Sequence, residues 1–240
     1  MNSTTKENPR LFPRTVNLLL ITSSLLFAGT TQVFSQQTPG VLPPKSQPYG
    51  KTYSEWSAAW WQWALGLPVD GHPFNSDPNP DFRIDAGQSG QVWLLGAPFG
   101  TTVRNSTIPV GKALLFGLLN SEWSSLEGYA TEAEQRAAAN LFTDHIVNLF
   151  CSIDGVAVMK LSSYRADSAQ FTFTAPTPWI FGDTAGTGTS VASGYYIFLA
   201  PLSAGKHTVH FGGSFHFAIS EGDDFDFDAS LDMTYNLTVR

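Results

Sequence analysis

Tyr53, Trp56, Trp60 and Trp63 recur at spacings of three, four and three, which is the period of one face of an α-helix. Thr52 and Glu55 precede the run with the spacing of a capping box, and Gly66 with Pro68 supplies a stop. A helix over 52–65 is predicted, with Trp61 off the stripe beside Ser57 and Leu65. The same signature returns at Thr131 and Glu134, where Ala138, Leu141, Phe142, His145, Ile146 and Leu149 continue at helical spacing. A second helix over 131–150 is predicted.

Elsewhere the apolar runs are short and separated by Gly and Pro. Runs over 91–95, 102–108 and 113–119 read as strands, punctuated by Pro98, Gly100, Pro109 and Gly111. Residues 92–95 and 113–116 are apolar at every position, the mark of central strands covered on both faces. Asp154-Gly155 suggests a tight turn into a strand over 156–164. The last third adds runs over 170–175, 195–199, 206–211, 215–219 and 225–239, with turn clusters at 182–188 and 201–205. Many short strands with two helices predict a mostly β domain: an antiparallel, jelly-roll-like β-sandwich with both helices packed on it.

The amino terminus reads differently. Lys6, Arg10 and Arg14 precede or flank an apolar run over 16–28, which ends in small residues near Ser35. This is the order of a secretory signal peptide. The expected organisation is a signal over 1–35 cleaved near Ser35, a Pro- and Gln-rich linker over 36–50, and a single domain over 51–240. No later apolar stretch reaches spanning length, so no permanent membrane span is expected once the signal is removed. The expected location is secreted or periplasmic.

Charge narrows the partners. The chain carries 13 Lys and Arg against 20 Asp and Glu, a formal net charge of -7, and its basic residues are scattered singly. A nucleic-acid partner, which needs a basic patch, is not expected. Cys151 is the single cysteine, so no internal disulfide forms, and its apolar neighbours Leu149, Phe150 and Ile153 suggest a buried, inert thiol.

Three constellations carry candidate chemistry. Trp60, Trp61 and Trp123 offer ring faces for stacking a ligand, although a tryptophan stripe also suits docking on a sheet and completing the core. His210 and His216 share strand parity and could converge if Gly212-Gly213 turn or bulge, while Asp224 and Asp226 point to one face of their run. A divalent metal is the one cofactor this set would hold; a solvated edge strand protected by like charges explains the acidic run as well. Glu122 and Glu127 flank Trp123, an arrangement shared with sugar-cleaving carboxylate pairs. No Gly-x-Ser-x-Gly elbow or phosphate-binding loop is present.

The phrases YSEWSAAWWQW at 53–63 and PLSAGKHTVHFG at 201–212, with QVWLL at 91–95 and PVGKALLF at 109–116, resemble a group of uncharacterised secreted bacterial proteins. The resemblance spans most of 50–240 and implies no activity and no catalytic residues. Secretion, acidity, abundant aromatics and an incomplete catalytic set lead to a secreted binding or surface-interaction domain. Carbohydrate is the favoured ligand class, and an extracellular glycan or cell-surface component the expected partner. Two alternatives stand beside this: a metal-dependent secreted enzyme built on the His/Asp cluster, and a structural envelope protein that self-associates through the tryptophan helix.

Overall fold

The computed structural model describes residues 40–182 and 185–240. The expected signal over 1–35 and the start of the linker lie outside the described residues. In chain order the elements are helix α1 (Tyr53–Leu65), strands β1 (Val92–Leu95), β2 (Gly100–Ile108) and β3 (Ala113–Ser124), helix α2 (Glu132–Asp144), and strands β4 (Ile146–Ile153), β5 (Val156–Ala157), β6 (Arg165–Asp167), β7 (Phe171–Ala175), β8 (Gly186–Leu199), β9 (Gly205–Phe217) and β10 (Phe227–Val239).

Burial decides which strands are central. β3 is buried without a break from Ala113 to Leu119, and β8 is almost as deep. They pair in the middle of one sheet ordered β1-β3-β8-β6, with β7 also on β8, and the second sheet is ordered β2-β10-β9-β4-β5. Phe116 of β3 and Phe211 of β9, with ring centroids 4.7 Å apart, pack one sheet on the other. Both α-helices pack on the first sheet, α1 against β7 and β8, α2 against β8 and β3. The chain is therefore mostly β with two helices, as its patterning predicts.

The finer expectation of an antiparallel, jelly-roll-like sandwich is corrected in its strand pairing. β1 pairs with β3 in parallel, and β2 pairs with β10 in parallel, so both sheets are mixed. Each parallel ladder joins segments with no connecting turn between them, and local turn chemistry cannot announce such a pairing.

Other boundaries move for local reasons. α2 ends at Asp144, and the residues expected to carry it toward Phe150 form β4, which pairs with β9. Ile146, Val147 and Phe150 suit a pleated surface as well as a helix face, and Asn148, at φ 55, interrupts the ladder where its register shifts. β5 has two residues before a 3-10 turn takes over at Leu161–Tyr164, so no strand continues to 164. β9 runs straight through Gly212-Gly213. A Cβ on Gly212 would lie 1.9 Å from the Leu231 carbonyl oxygen, so this glycine serves close approach by β10 rather than a turn. β8 likewise begins at Gly186, inside the cluster expected to be a turn.

α1 begins with the expected capping box between Thr52 and Glu55. Its buried side carries Tyr53, Ser57, Trp60, Trp61, Ala64 and Leu65, so Trp61 lies on the docking face and not off it. Trp56 and Trp63 flank that face half-buried, their indole N–H groups donating to the carbonyls of Pro48 at 2.8 Å and Ala86 at 3.0 Å. From Gly40 onward the segment expected to be a linker lies on the sheet: Leu42 N–H donates to the Phe198 carbonyl at 2.8 Å, and Val41 bridges Leu199. Opposite, Arg104 of β2 is buried with its guanidinium donating to the carbonyls of Asn75 at 2.9 Å and Asn79 at 3.2 Å. It fastens the loop that carries Phe74.

Candidate functional site

β1 covers β3 only from Ala113 to Phe116. Beyond that point, among the described residues, one edge of β3 has no strand beside it. Between Gly117 and Leu119 the β3–β8 ladder shifts register. Gly194 stands across this irregularity at φ 155, and a Cβ there would lie 2.3 Å from the Cβ of Asn120. Only glycine tolerates that backbone and that approach. Bulges of this kind re-aim side chains, and here Asn120 and Glu122 line a cavity of about 440 Å³ along the free edge.

Each wall comes from a different element. α1 supplies Trp60 and Trp61, whose rings meet edge to face at 5.0 Å. Phe74 lies 5.8 Å from the first and 5.9 Å from the second. The Trp60 N–H donates to the Leu95 carbonyl at 2.9 Å and the Trp61 N–H to the Tyr196 hydroxyl at 3.0 Å, so both indoles present carbon surface and no free donor. His72, fully buried, holds the Phe74 turn: its Nδ1 accepts from the Phe74 N–H at 3.0 Å, and its Nε2 therefore donates to the Ala64 carbonyl at 2.9 Å. Burial lowers its pKa, in keeping with that neutral tautomer. On the other side Trp123 packs against Tyr129 at 4.7 Å and Phe142 of α2 at 5.1 Å. Phe99 and Phe181, 54% and 46% exposed, stand at the mouth.

The polar groups are few. Glu122 is 5% exposed; its Oε2 accepts from the Ser190 hydroxyl, and its carboxyl lies within hydrogen-bonding reach of that of Glu127, an acid pair in which Oε1 meets no N–H or hydroxyl donor among the described residues. Glu127 accepts from the Ser124 hydroxyl at 2.6 Å. Burial lifts the Glu122 carboxyl well above the usual carboxylate range, and the nearby Glu127 charge lifts it further. Glu127 is raised by its own burial. The indole N–H of Trp123 is also buried without a partner. Ser121 is occupied, donating to the Ala139 carbonyl at 3.0 Å. Chemically the cavity offers aromatic surface, a carboxyl biased toward its protonated form, and a second carboxyl beside it.

The residues read from the sequence as ligand contacts, Trp60, Trp61 and Trp123, all line this one cavity. The first two are also core residues, 2% and 4% exposed, so sealing and lining are the same role. The residues read as metal ligands are not brought together. His210 pairs with Asp232 at 2.8 Å and His216 with Asp228 at 2.7 Å, while Asp226 accepts from the Ile219 N–H and Asp224 is exposed. Because β9 is unbroken, six residues set His210 and His216 roughly 20 Å apart along it, and no group of three His, Cys, Asp or Glu side chains among the described residues is placed to hold a metal ion. Cys151 is buried, its thiol pushed up to about 12 by burial, which leaves it unreactive. Phe74, Phe99, Phe142 and Phe181 carry no sequence signal of their own, since single phenylalanines in loops and on helix faces read as ordinary core. No protein-family model matches the chain, and no curated protein or solved structure shows significant similarity to it.

Proposed function

We propose that the chain is a binding domain that takes up a small organic molecule in the aromatic cavity at the free edge of β3. The buried polar groups carry this reading: Glu122, 5% exposed and faced by a second carboxyl with no basic side chain in the lining, and the unpaired indole N–H of Trp123 line an otherwise largely apolar cavity. A buried polar atom left unpaired costs about 1–3 kcal/mol. Core packing has no use for that cost, and a bound molecule relieves it. Concave apolar pockets with a few placed polar groups are the usual form of small-molecule sites.

Carbohydrate, the class favoured by the sequence, would find stacking surfaces on Trp123 and on the rings at the mouth. It would also need partners for many hydroxyls, and Ser121 is already engaged, leaving Asn120, Glu122, Glu127 and the Trp123 N–H as the polar groups to serve. A compact, ring-bearing ligand with one polar group fits this balance better. Export through the segment over 1–35 would place the site in the periplasm or outside the cell.

The neutral, environment-sensitive dye N-phenyl-1-naphthylamine tests the reading. Saturable fluorescence enhancement is expected with the native protein, and its loss is expected in Ala97→Trp, which fills the cavity from its lining, at an unchanged melting temperature. Equal enhancement in both proteins would place the dye elsewhere and remove the proposal.

A further inference from the structure

Glu122 and Glu127 line the cavity, and no Lys, Arg or His does. The remaining surface is dominated by rings, among them Trp60, Trp61, Trp123 and Phe142. Aromatic faces carry negative potential and attract cations, more strongly where water is excluded. Carboxyl pair and rings thus ask for the same thing, positive charge, and among the described residues the lining supplies none.

We infer that the ligand of this cavity is an organic cation: an ammonium group seated against Glu122 and Glu127, with an apolar or aromatic substituent packed on the surrounding rings. The inference rests on the reading of the cavity as a ligand site. An anion would face two carboxyl groups with no basic side chain to receive it. A neutral apolar molecule would fill the space but leave the carboxyl pair without a positive charge beside it. A cation supplies that charge, in competition with the proton that burial favours on the pair.

That exchange fixes the sign of the pH dependence. The groups facing Glu122 are Glu127, the Ser190 hydroxyl and the Tyr196 phenol of β8, whose own pKa is raised by burial. α1 and α2 turn rings toward the cavity, and neither contributes a charged side chain to its lining. Deprotonation of the carboxyl pair therefore favours a cation, and affinity rises with pH through that titration. A quaternary ammonium has no proton of its own to lose, so any such rise belongs to the protein.

The experiment compares benzyltrimethylammonium with neopentylbenzene, the neutral molecule of the same shape, by quenching of tryptophan fluorescence across pH. The cation is expected to bind at least about tenfold more tightly than the isostere, with affinity increasing as pH rises. Glu122→Gln, which keeps the volume and the bond to Ser190, is expected to weaken the cation by about tenfold and to flatten its pH dependence while leaving the isostere unchanged; Glu127→Gln repeats the comparison if the first variant does not fold. Equal binding of the two molecules, or cation affinity falling with pH, overturns the inference while the cavity reading stands. Binding of neither to the folded native protein overturns both.

Discussion

The indole N–H of Trp61 on α1 donates to the hydroxyl of Tyr196 on β8 at 3.0 Å, inside the core and across 135 positions of sequence. Area burial alone would let an aromatic helix settle in several registers on a sheet. This directional bond selects one, and with it the placement of Trp60 and Trp61 as a wall of the cavity.

Tyr196→Phe removes the acceptor and leaves the Trp61 N–H unpaired in a dry site, so a loss of about 1–3 kcal/mol is expected. Trp61→Phe loses the donor together with ring area. A double-mutant cycle in urea should return a coupling energy of about 0.5–3 kcal/mol between the two positions. Additive losses would show that the contact does not set the docking.

Gly212 is held to glycine by the Leu231 carbonyl of the neighbouring strand, which occupies the place of a side chain. Gly212→Ala must part β9 from β10 at the middle of their ladder, and a loss of roughly 3 kcal/mol is expected from such overpacking. Chemical denaturation measures it. A change near zero would mean that the two strands are less closely apposed than described.

His145 caps the end of α2 with both ring nitrogens engaged, Nδ1 toward the Leu141 carbonyl at 2.7 Å and Nε2 toward the Asp223 carboxylate at 2.8 Å. Both partners are acceptors, so both nitrogens must donate, and only the imidazolium can do that. The Leu141 carbonyl and then the Asp223 side chain raise the His145 pKa above its ordinary 6.5. The sign follows from linkage: the stabilisation is fully present below about pH 6.5 and is lost as pH rises through the folded-state value. Asp223 moves the opposite way, lowered by the Ala218 N–H and then by His145, so its contribution is lost as pH falls through its own folded-state value. In an NMR titration the His145 ring should have a midpoint above that of a free histidine, and Asp223→Asn should bring it down. An unmoved midpoint would contradict the pairing.

Much of α1 is legible locally, because Thr52, Glu55 and Gly66 mark its ends. Its docking face is not. With four indoles in eight residues, helical period alone selects no single face, and the choice falls to distant partners such as the Tyr196 hydroxyl and the Leu95 carbonyl. The start of α2 is equally clear from Thr131 and Glu134, whereas Ile146 and Leu149 fit a helix stripe and a strand alike until β9 is present to pair with them. Trp60, Trp61, Trp123 and the carboxyls of Glu122 and Glu127 all stand out by residue type. Their meeting depends on the irregularity in β3, on Gly194 across the ladder and on the short reach of β1, and none of these is written in the neighbouring residues. The histidines show the converse, since shared parity on one strand keeps His210 and His216 on one face without bringing them near each other.

A crystal structure of the protein with benzyltrimethylammonium bears most directly on the cavity as a ligand site. The ammonium carbon shell is expected against Glu122 and Glu127 and the phenyl ring among Trp123, Phe142 and the indoles of α1, with β3 and β8 unmoved. A cavity left empty at saturating cation, or closed by the collapse of Trp60 and Trp61 into it, would contradict that claim.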